Sequence, residues 1–195
     1  VVPPTDGGGV TATDLPAADR RQAAVVRLRH KASGRVVCVV AVHLMTTSRD
    51  GPGVTRFPGE VRAGELATIK NIVAERADDD DAVVLCGDFN TPPSETHVWS
   101  GDVGFKHATG WGGDGAFFWG ERTLRDAFAP VHGWADCEGV CTSKNGDRSL
   151  WIDYIFHDAS LAPMDRSDVS APAGAIPDLA HPSDHLPLAC TFRFS

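Results

Sequence analysis

Four short segments of the chain place histidine, aspartate or asparagine at the end of an apolar run or just after it. They are Val42-His43-Leu44, Leu85-Cys86-Gly87-Asp88-Phe89-Asn90, Trp151-Ile152-Asp153-Tyr154-Ile155-Phe156 and Pro182-Ser183-Asp184-His185-Leu186. Imidazoles and carboxylates can move protons near neutral pH, and carboxylates can hold divalent cations. One such segment would support a site only weakly. Four together predict a single site at which strand ends converge.

The residues around the first two segments predict the elements that must position them. Two runs rich in β-branched residues, 23–29 and 35–44, flank the turn residues Ser33-Gly34 and predict a β-hairpin. The second run is apolar almost throughout, as is typical of a strand covered on both faces. Apolar residues at helical spacing predict a helix from about Glu60 to Arg76, and Ala82 to Cys86 predicts a short buried strand.

The remaining elements complete the predicted organisation. Ser149 to Phe156 and Leu188 to Phe194 are predicted strands, and Asp78 to Asp81 is predicted to be a solvated connection. Residues 1–20, rich in Gly, Pro, Thr and Asp, predict a linker or loop. Strands that alternate with helices indicate one α/β layered domain over residues 21–195.

Composition excludes several classes of protein. The 195 residues are 42% hydrophobic and 23% charged, which is typical of a globular chain with one core. A net charge of −8 argues against a protein that coats DNA by charge alone, and no apolar run approaches the ~20 residues that span a membrane. The five widely spread cysteines predict no disulfide framework. We therefore expect an intracellular protein of the cytoplasm or an organelle, without a membrane partner.

The four segments resemble, in order, the motifs of the endonuclease/exonuclease/phosphatase superfamily of metal-dependent phosphoesterases. Gly87-Asp88-Phe89-Asn90 followed by Ser183-Asp184-His185 is the most specific part of the resemblance. Gln22-Ala23 and residues 181–186 resemble the deadenylase branch, which includes nocturnin and the 2′-phosphodiesterase relatives. The resemblance implies a DNase I-like α/β sandwich, which has four layers in the full family.

The resemblance also implies a role for each matching residue. His43 matches the histidine that contacts the scissile phosphate, and Asn90 matches the asparagine that holds a phosphate oxygen. Asp88 matches the aspartate that orients or deprotonates the attacking water. Asp153 and His185 match a carboxylate–imidazole pair, in which the carboxylate fixes the tautomer of the imidazole and stabilises its cationic form.

A divalent metal is the implied cofactor. Asp184 matches an acidic residue close to the metal, although an aspartate at this position could also cap a turn. Mg²⁺ suits oxygen ligands and phosphate best, with Mn²⁺ as the alternative. Such an ion neutralises the charge of a phosphodiester and polarises its P–O bond, so a metal-dependent phosphodiesterase is expected.

The motifs cover only the C-terminal part of the family domain. Family members carry an earlier strand with an asparagine and a later Gln-Glu pair whose glutamate is the principal metal ligand, and residues 1–30 match neither. We therefore expect this chain to represent the C-terminal half and to be inactive by itself. We also expect it to expose an apolar sheet face. The expected partner of that face is the missing N-terminal half or another subunit.

Three hypotheses for function follow. The favoured one is a Mg²⁺-dependent phosphodiesterase or nuclease that acts on RNA 3′ ends, like a deadenylase, with RNA or another phosphodiester as substrate. The second is a catalytically inactive relative that serves as a structural subunit of a larger assembly. The third is a phosphatase for a small nucleotide or a lipid head group, which would need a closed pocket. The complete set of six site residues favours an enzyme, whereas the missing metal-bearing half favours a structural subunit.

Overall fold

An eight-stranded mixed sheet forms the centre of the fold. The computed structural model describes residues 11–14, 22–46, 58–93, 103–104, 116–119, 122–132 and 139–195. The strands are β1 (Thr11–Asp14), β2 (Gln22–Arg29), β3 (Val36–His43), β4 (Ala82–Asp88), β5 (Val103–Gly104), β6 (Ala116–Trp119), β7 (Arg122–Asp126), β8 (Ser143–Asn145), β9 (Arg148–Leu150), β10 (Asp153–His157), β11 (Leu161–Arg166) and β12 (Cys190–Phe194). The helices are α1 (Pro58–Arg76) and α2 (Ala129–His132). The large sheet has the order β1-β2-β3-β4-β10-β7-β6-β5, and β8-β9 and β11-β12 form two small sheets.

The predicted hairpin and the helix that follows it are confirmed. β2 and β3 pair antiparallel, with Val25 opposite Val40. α1 then connects β3 to β4, and these two strands pair parallel, with Val40 opposite Leu85. A parallel pair needs a long crossover connection, and the 19-residue helix supplies it. This crossover brings the ends of β3 and β4 to the same edge of the sheet.

The two faces of the sheet differ in how they are covered. On one face, Val40 and Leu85 pack in the main core with Leu66 and Ile69 of α1, and all four side chains are fully buried. On the other face, β11-β12 contributes Leu161 and Phe192 to a smaller cluster around Val84. Alternation of side chains along each strand separates these two sets of residues.

The second face is apolar beyond the part that β11-β12 covers. Val26 of β2 and Val39 of β3 lie opposite each other there, and both are only half-buried. Ala41, two residues further along the same face, is exposed. This part of the face is therefore apolar and only partly covered by the described residues.

The acidic connection after α1 is held at the opposite end of the sheet from the strand ends described below. Arg27 donates from Nε to Asp81 at 2.7 Å and from Nη2 to Asp78 at 2.5 Å. Arg122 donates to the backbone carbonyls of Asp81, Asp78 and Asp79. The connection is solvated in part, as predicted, but Arg122 fixes its backbone and Arg27 holds two of its carboxylates.

The structure differs from the sequence prediction in two places. Residues 11–14, inside the segment predicted to be a linker or loop, form β1 against β2; the other residues of 1–20 lie outside the described ranges. The predicted strand over residues 149–156 is divided into β9 and β10 at Trp151-Ile152, where the chain passes from the small sheet to the large one. In the described part of the chain no helix has the length and apolar character to cross a membrane.

Candidate active site

The parallel pairing of β3 and β4 brings two of the predicted residues together. His43 is the last residue of β3 and lies opposite Asp88, the last residue of β4. His43 Nε2 is 3.4 Å from Asp88 Oδ2. The His43 side chain is 62% exposed and that of Asp88 only 14%, so the imidazole faces solvent above a carboxylate that the protein largely surrounds.

The turn after β4 fixes Asp88 and Asn90 through backbone contacts. The N–H of Asn90 donates to Asp88 Oδ1 at 2.7 Å, and Asn90 Nδ2 donates to the carbonyl of Leu44 at 2.9 Å. Leu44 returns a backbone hydrogen bond to the carbonyl of Asp88. Asn90 has a φ of 49°, a left-handed conformation that asparagine tolerates better than most residues. The turn therefore commits Oδ1 of Asp88 to the fold and leaves Oδ2 facing the histidines.

Asp153 and His185 form the predicted carboxylate–imidazole pair. Asp153 begins β10 and lies opposite Asp88 in the antiparallel pairing of β10 with β4. His185 Nδ1 is 2.9 Å from Asp153 Oδ2, and His185 Nε2 is 4.0 Å from Asp88 Oδ2. Since a carboxylate accepts hydrogen bonds, Nδ1 is the donor in this contact, and Nε2 is the ring nitrogen that faces Asp88.

Burial changes the acidity of Asp153. Burial raises the pKa of Asp153 to about 6 from its usual value near 3.8, and the neighbouring charge of Asp88 adds to the rise. Hydrogen bonds from Thr142 and His185 oppose this effect. The protein thus holds the Asp153 carboxylate at a cost in stability, which is common for groups that serve a site.

Three of the side chains could hold a cation together. Ligand atoms of Asp88, Asp153 and His185 all lie within 4.8 Å of one another. Two carboxylates and one imidazole fit a divalent ion that completes its shell with water and phosphate oxygens, as Mg²⁺ and Mn²⁺ do. Asp184 is outside this group; its backbone carbonyl accepts a hydrogen bond from Lys144, and its metal-ligand role stays a prediction.

The strand β8 and the residue before it place His185 beside β10. Ser143 and His185 form a β-bridge, and the N–H of Lys144 donates to the carbonyl of Asp184 at 2.8 Å. Thr142, which is fully buried, accepts from the N–H groups of Ile152 and Asp153 through Oγ1. Sequence reasoning missed Thr142, because a threonine outside a recognised motif carries no signal of its own.

α1 supports the site from the other side. Glu65 accepts a hydrogen bond from the N–H of Met45 at 2.9 Å, and Arg62 donates to the carbonyl of Met45 at 3.1 Å. Both side chains are at most 2% exposed. These contacts fix the chain two residues after His43. The glutamate and arginine that provide them looked like ordinary surface charges of a helix in the sequence.

A cavity of about 230 Å³ lies next to the site, on the sheet face that β11-β12 covers only in part. Its lining includes Asp153, Cys86, Ile155, Leu186 and Leu188. Apart from Asp153, these side chains are apolar or weakly polar. The cavity therefore continues the apolar face up to the edge that carries the site.

Comparison with protein families extends the resemblance beyond the four motifs. A sequence model described as the Endonuclease/Exonuclease/phosphatase family matches residues 5–185. The match begins well before His43, so it includes β1, β2 and β3 as well as the motif segments. No curated protein matches the chain.

Solved structures with the same fold include three with different bound molecules. The human Nocturnin catalytic domain with bound sulfate anion has a TM-score of 0.60 at 21% identity, covering 96% of this chain and 59% of that one. ANGEL2, a 2′,3′-cyclic phosphatase in complex with adenosine-2′,3′-vanadate, has a TM-score of 0.65 at 19% identity, covering 95% and 66%. D. rerio TDP2 complexed with single strand DNA product has a TM-score of 0.56 at 16% identity, covering 94% and 67%.

These likenesses establish the DNase I-like α/β fold for this chain. The chain spans 59% of the Nocturnin structure and 66% of the ANGEL2 structure. Nearly all of the chain is therefore matched, while more than a third of the Nocturnin structure has no counterpart in it.

Proposed function

The chain belongs to the endonuclease/exonuclease/phosphatase family, and from this we propose that it carries the catalytic residues of a metal-dependent phosphodiesterase acting on RNA 3′ ends. The observation that carries the proposal is the convergence of His43, Asp88, Asp153 and His185 from four separate segments at one sheet edge. Packing alone gives no reason for two histidines and two carboxylates to meet at a partly exposed edge. Phosphoester hydrolysis does give one, because it needs a base for water and cations for the phosphate.

The proposed reaction assigns one task to each side chain. Asp88 uses Oδ2, the oxygen not committed to the turn, to orient a water and accept its proton. His43 and the amide of Asn90 contact the phosphate oxygens. His185, oriented by Asp153, stabilises the charge that builds up on phosphorus-bound oxygens. When bound, Mg²⁺ would neutralise phosphate charge. Of the three residues close enough to share an ion, Asp88 and Asp153 offer the oxygen ligands that Mg²⁺ prefers, which leaves His185 for the phosphate.

The proposal includes a partner for the apolar sheet face. Val26, Val39 and Ala41 support the hypothesis that an N-terminal half of the domain, or another subunit, covers that face. The same segment would supply the principal metal-ligand glutamate that the family resemblance implies. A chain without it is then expected to hydrolyse RNA slowly or not at all.

The inactive structural subunit remains the second candidate, favoured by this same uncovered face. An intracellular location also stays part of the proposal. The free thiols of Cys38, Cys86, Cys141 and Cys190 support a reducing compartment.

The test is hydrolysis of a 5′-labelled RNA with a 3′ A-tail, with Mg²⁺ or with EDTA. The chain is assayed alone and within a protein extended on its N-terminal side. Asp88→Asn is compared with Asp80→Asn, a matched change at an exposed aspartate beyond the opposite end of β4. We expect stepwise shortening of the RNA that requires metal. The rate of shortening should fall by about 10³-fold or more in Asp88→Asn and stay unchanged in Asp80→Asn.

Two further substrates separate the alternatives. A U-tailed RNA of equal length measures preference for adenosine, and an RNA ending in a 2′,3′-cyclic phosphate measures phosphatase activity. Opening of the cyclic phosphate without shortening would place the protein among the phosphatases. Absence of turnover on all three substrates, from both lengths of protein, would support the structural subunit.

A further inference from the structure

The Thr142 hydroxyl bonds to the backbone at the start of β10. Its Oγ1 accepts from the N–H of Ile152 at 2.9 Å and from the N–H of Asp153 at 3.0 Å. Both acceptor lone pairs of the hydroxyl are therefore directed at backbone N–H groups at the start of β10. The Thr142 side chain also lowers the pKa of the Asp153 carboxylate, which opposes the effect of burial.

The backbone of Thr142 joins the two segments that carry the carboxylate–imidazole pair. Its N–H donates to the carbonyl of Leu150 at 2.9 Å, and its carbonyl accepts from the N–H of Leu186 at 2.8 Å. Leu150 lies three residues before Asp153, and Leu186 directly follows His185. The backbone of Thr142 is therefore hydrogen-bonded both to Leu150, before Asp153, and to Leu186, after His185.

The hydroxyl holds Asp153 by its backbone. It accepts from the N–H of Asp153 at 3.0 Å, which fixes the Cα from which the carboxylate extends. His185 depends on the position of that carboxylate, since its Nδ1 bonds to it at 2.9 Å. A carboxylate turned by one rotamer would release the imidazole.

We propose that Thr142 is the positioning residue of the Asp153–His185 pair, holding the start of β10 through its hydroxyl so that the Asp153 carboxylate orients His185 toward the reacting phosphate. This inference rests on the proposed phosphodiesterase function. Thr142 lies one step from the chemistry and touches neither substrate nor metal, so its effect is on the rate of the bound complex and not on RNA binding.

The test compares Thr142→Val, which keeps the shape and removes the hydroxyl, with Thr142→Ser, which keeps the hydroxyl. Thr142→Ala is made in parallel, because the added methyl of valine faces two backbone N–H groups and could prevent folding. The matched control is Ser143→Ala, which removes a buried hydroxyl from the next residue and leaves the backbone bridge to His185 in place.

The first readout is the kinetics of the N-terminally extended protein, wild type and variants, on the A-tailed RNA. Thr142→Val and Thr142→Ala are expected to lower kcat by about 10- to 100-fold with KM within about two-fold, as for other groups that orient a ligand residue. Thr142→Ser and Ser143→Ala should stay within about three-fold of the wild type. A merely structural threonine would change the folded fraction and leave the kcat per folded molecule unaltered.

Proton NMR of the imidazole N–H gives a readout that needs no turnover. The His185 Nδ1 proton, identified by its absence in His185→Ala, should persist in Thr142→Ser and disappear by exchange in Thr142→Val and Thr142→Ala. If the wild type hydrolyses nothing even within the N-terminally extended protein, the proposed function fails while this resonance still tests Thr142. Retention of the resonance and of wild-type kcat in folded Thr142→Val or Thr142→Ala would overturn the proposal.

Discussion

At the scale of single residues, Gly87 shows why the Gly-Asp-Phe-Asn motif begins with glycine. Its φ of +131° lies in a region that other residues rarely adopt, and a Cβ there would be 2.0 Å from the carbonyl oxygen of Val42. Val42 precedes His43 and Gly87 precedes Asp88. The close approach of the two backbones is thus what allows the histidine and the aspartate to meet.

Gly87→Ala should therefore disturb both fold and site. We expect a loss of about 3 kcal/mol in the free energy of unfolding, because the obstructing atom belongs to the backbone and cannot rotate away. Gly34→Ala is the matched control. Gly34 also has a positive φ, of +73°, but has nothing within 4 Å of the added Cβ, so only about 1 kcal/mol should be lost. Urea denaturation measures both, and equal losses would show that the contact with Val42 is unimportant.

The raised pKa of Asp153 predicts that the free energy of unfolding depends on pH. Its pKa in the folded state is raised to about 6, so the protonated form is favoured by folding, and stability is lost as the pH rises through that value. Asp153→Asn cannot ionise. With EDTA present, it should therefore match the wild type near pH 4 and exceed it at pH 7, by up to about 3 kcal/mol.

Thermal or urea unfolding across this pH range provides the measurement, and the same variant should lose hydrolytic activity. A constant difference between Asp153→Asn and the wild type from pH 4 to 7 would contradict the assigned environment of the carboxylate.

The site residues that sequence analysis identified are those whose neighbours form a recognisable motif. His43, Asp88, Asn90, Asp153 and His185 come together as the motifs imply. Thr142, Arg62 and Glu65 could not be found in this way. Their function depends on which backbone group each side chain contacts in the folded protein. The presence of a threonine, arginine or glutamate in the sequence does not by itself indicate that contact.

At the scale of elements, α1 does more than connect two parallel strands. Its buried Arg62 and Glu65 bond to the carbonyl and the N–H of Met45. Met45 lies two residues beyond the end of β3, where the pairing of that strand has ended. The helix thereby fixes the exit of β3, on which the position of His43 depends.

Glu65→Ala should lower the free energy of unfolding by about 2 to 3 kcal/mol, because the partly buried N–H of Met45 loses its acceptor and the interior loses a buried side chain. Glu65→Gln keeps an acceptor oxygen and should lose less. Glu75→Ala, at an exposed position of the same helix, should change stability by less than about 0.5 kcal/mol. Chemical denaturation of the three variants checks this order, and equal effects at positions 65 and 75 would contradict it.

Elements with strong periodicity were predictable, and those defined by partners were not. The hairpin, α1 and β4 follow directly from β-branched runs and helical spacing. β11 contains Pro163 and alternates poorly, so its strand character depends on pairing with β12. The break between β9 and β10 is equally invisible in the sequence, because Trp151-Ile152 continues an apolar run that begins at Leu150.

At the scale of the whole molecule, the two faces of the sheet predict opposite responses to the same substitution. Val40 is fully buried against α1, whereas its neighbour Val39 is half-buried on the face proposed to receive a partner. Val40→Lys should unfold the chain, since it buries an unpaired charge. Val39→Lys should cost about 1 kcal/mol in the isolated chain.

The same pair of variants tests the proposed partner. Val39→Lys should reduce self-association of the isolated chain in analytical ultracentrifugation, and should block binding of a segment that completes the domain. If Val39→Lys unfolds the chain as Val40→Lys does, residues of this chain already cover the face, and the proposed partner is unnecessary.

The order of the strands has a consequence for folding during synthesis. The four segments of the site are distant in sequence, and β10 inserts between β4 and β7, which are both made before it. The segment with His185 is synthesised last of the four and joins an already paired sheet through Thr142 and Lys144. Such non-local contacts form slowly, and a growing chain emerges from its N-terminus. A nascent chain on the ribosome can therefore complete its central sheet before His185 is in place beside Asp153. The sheet thus folds before the site is complete.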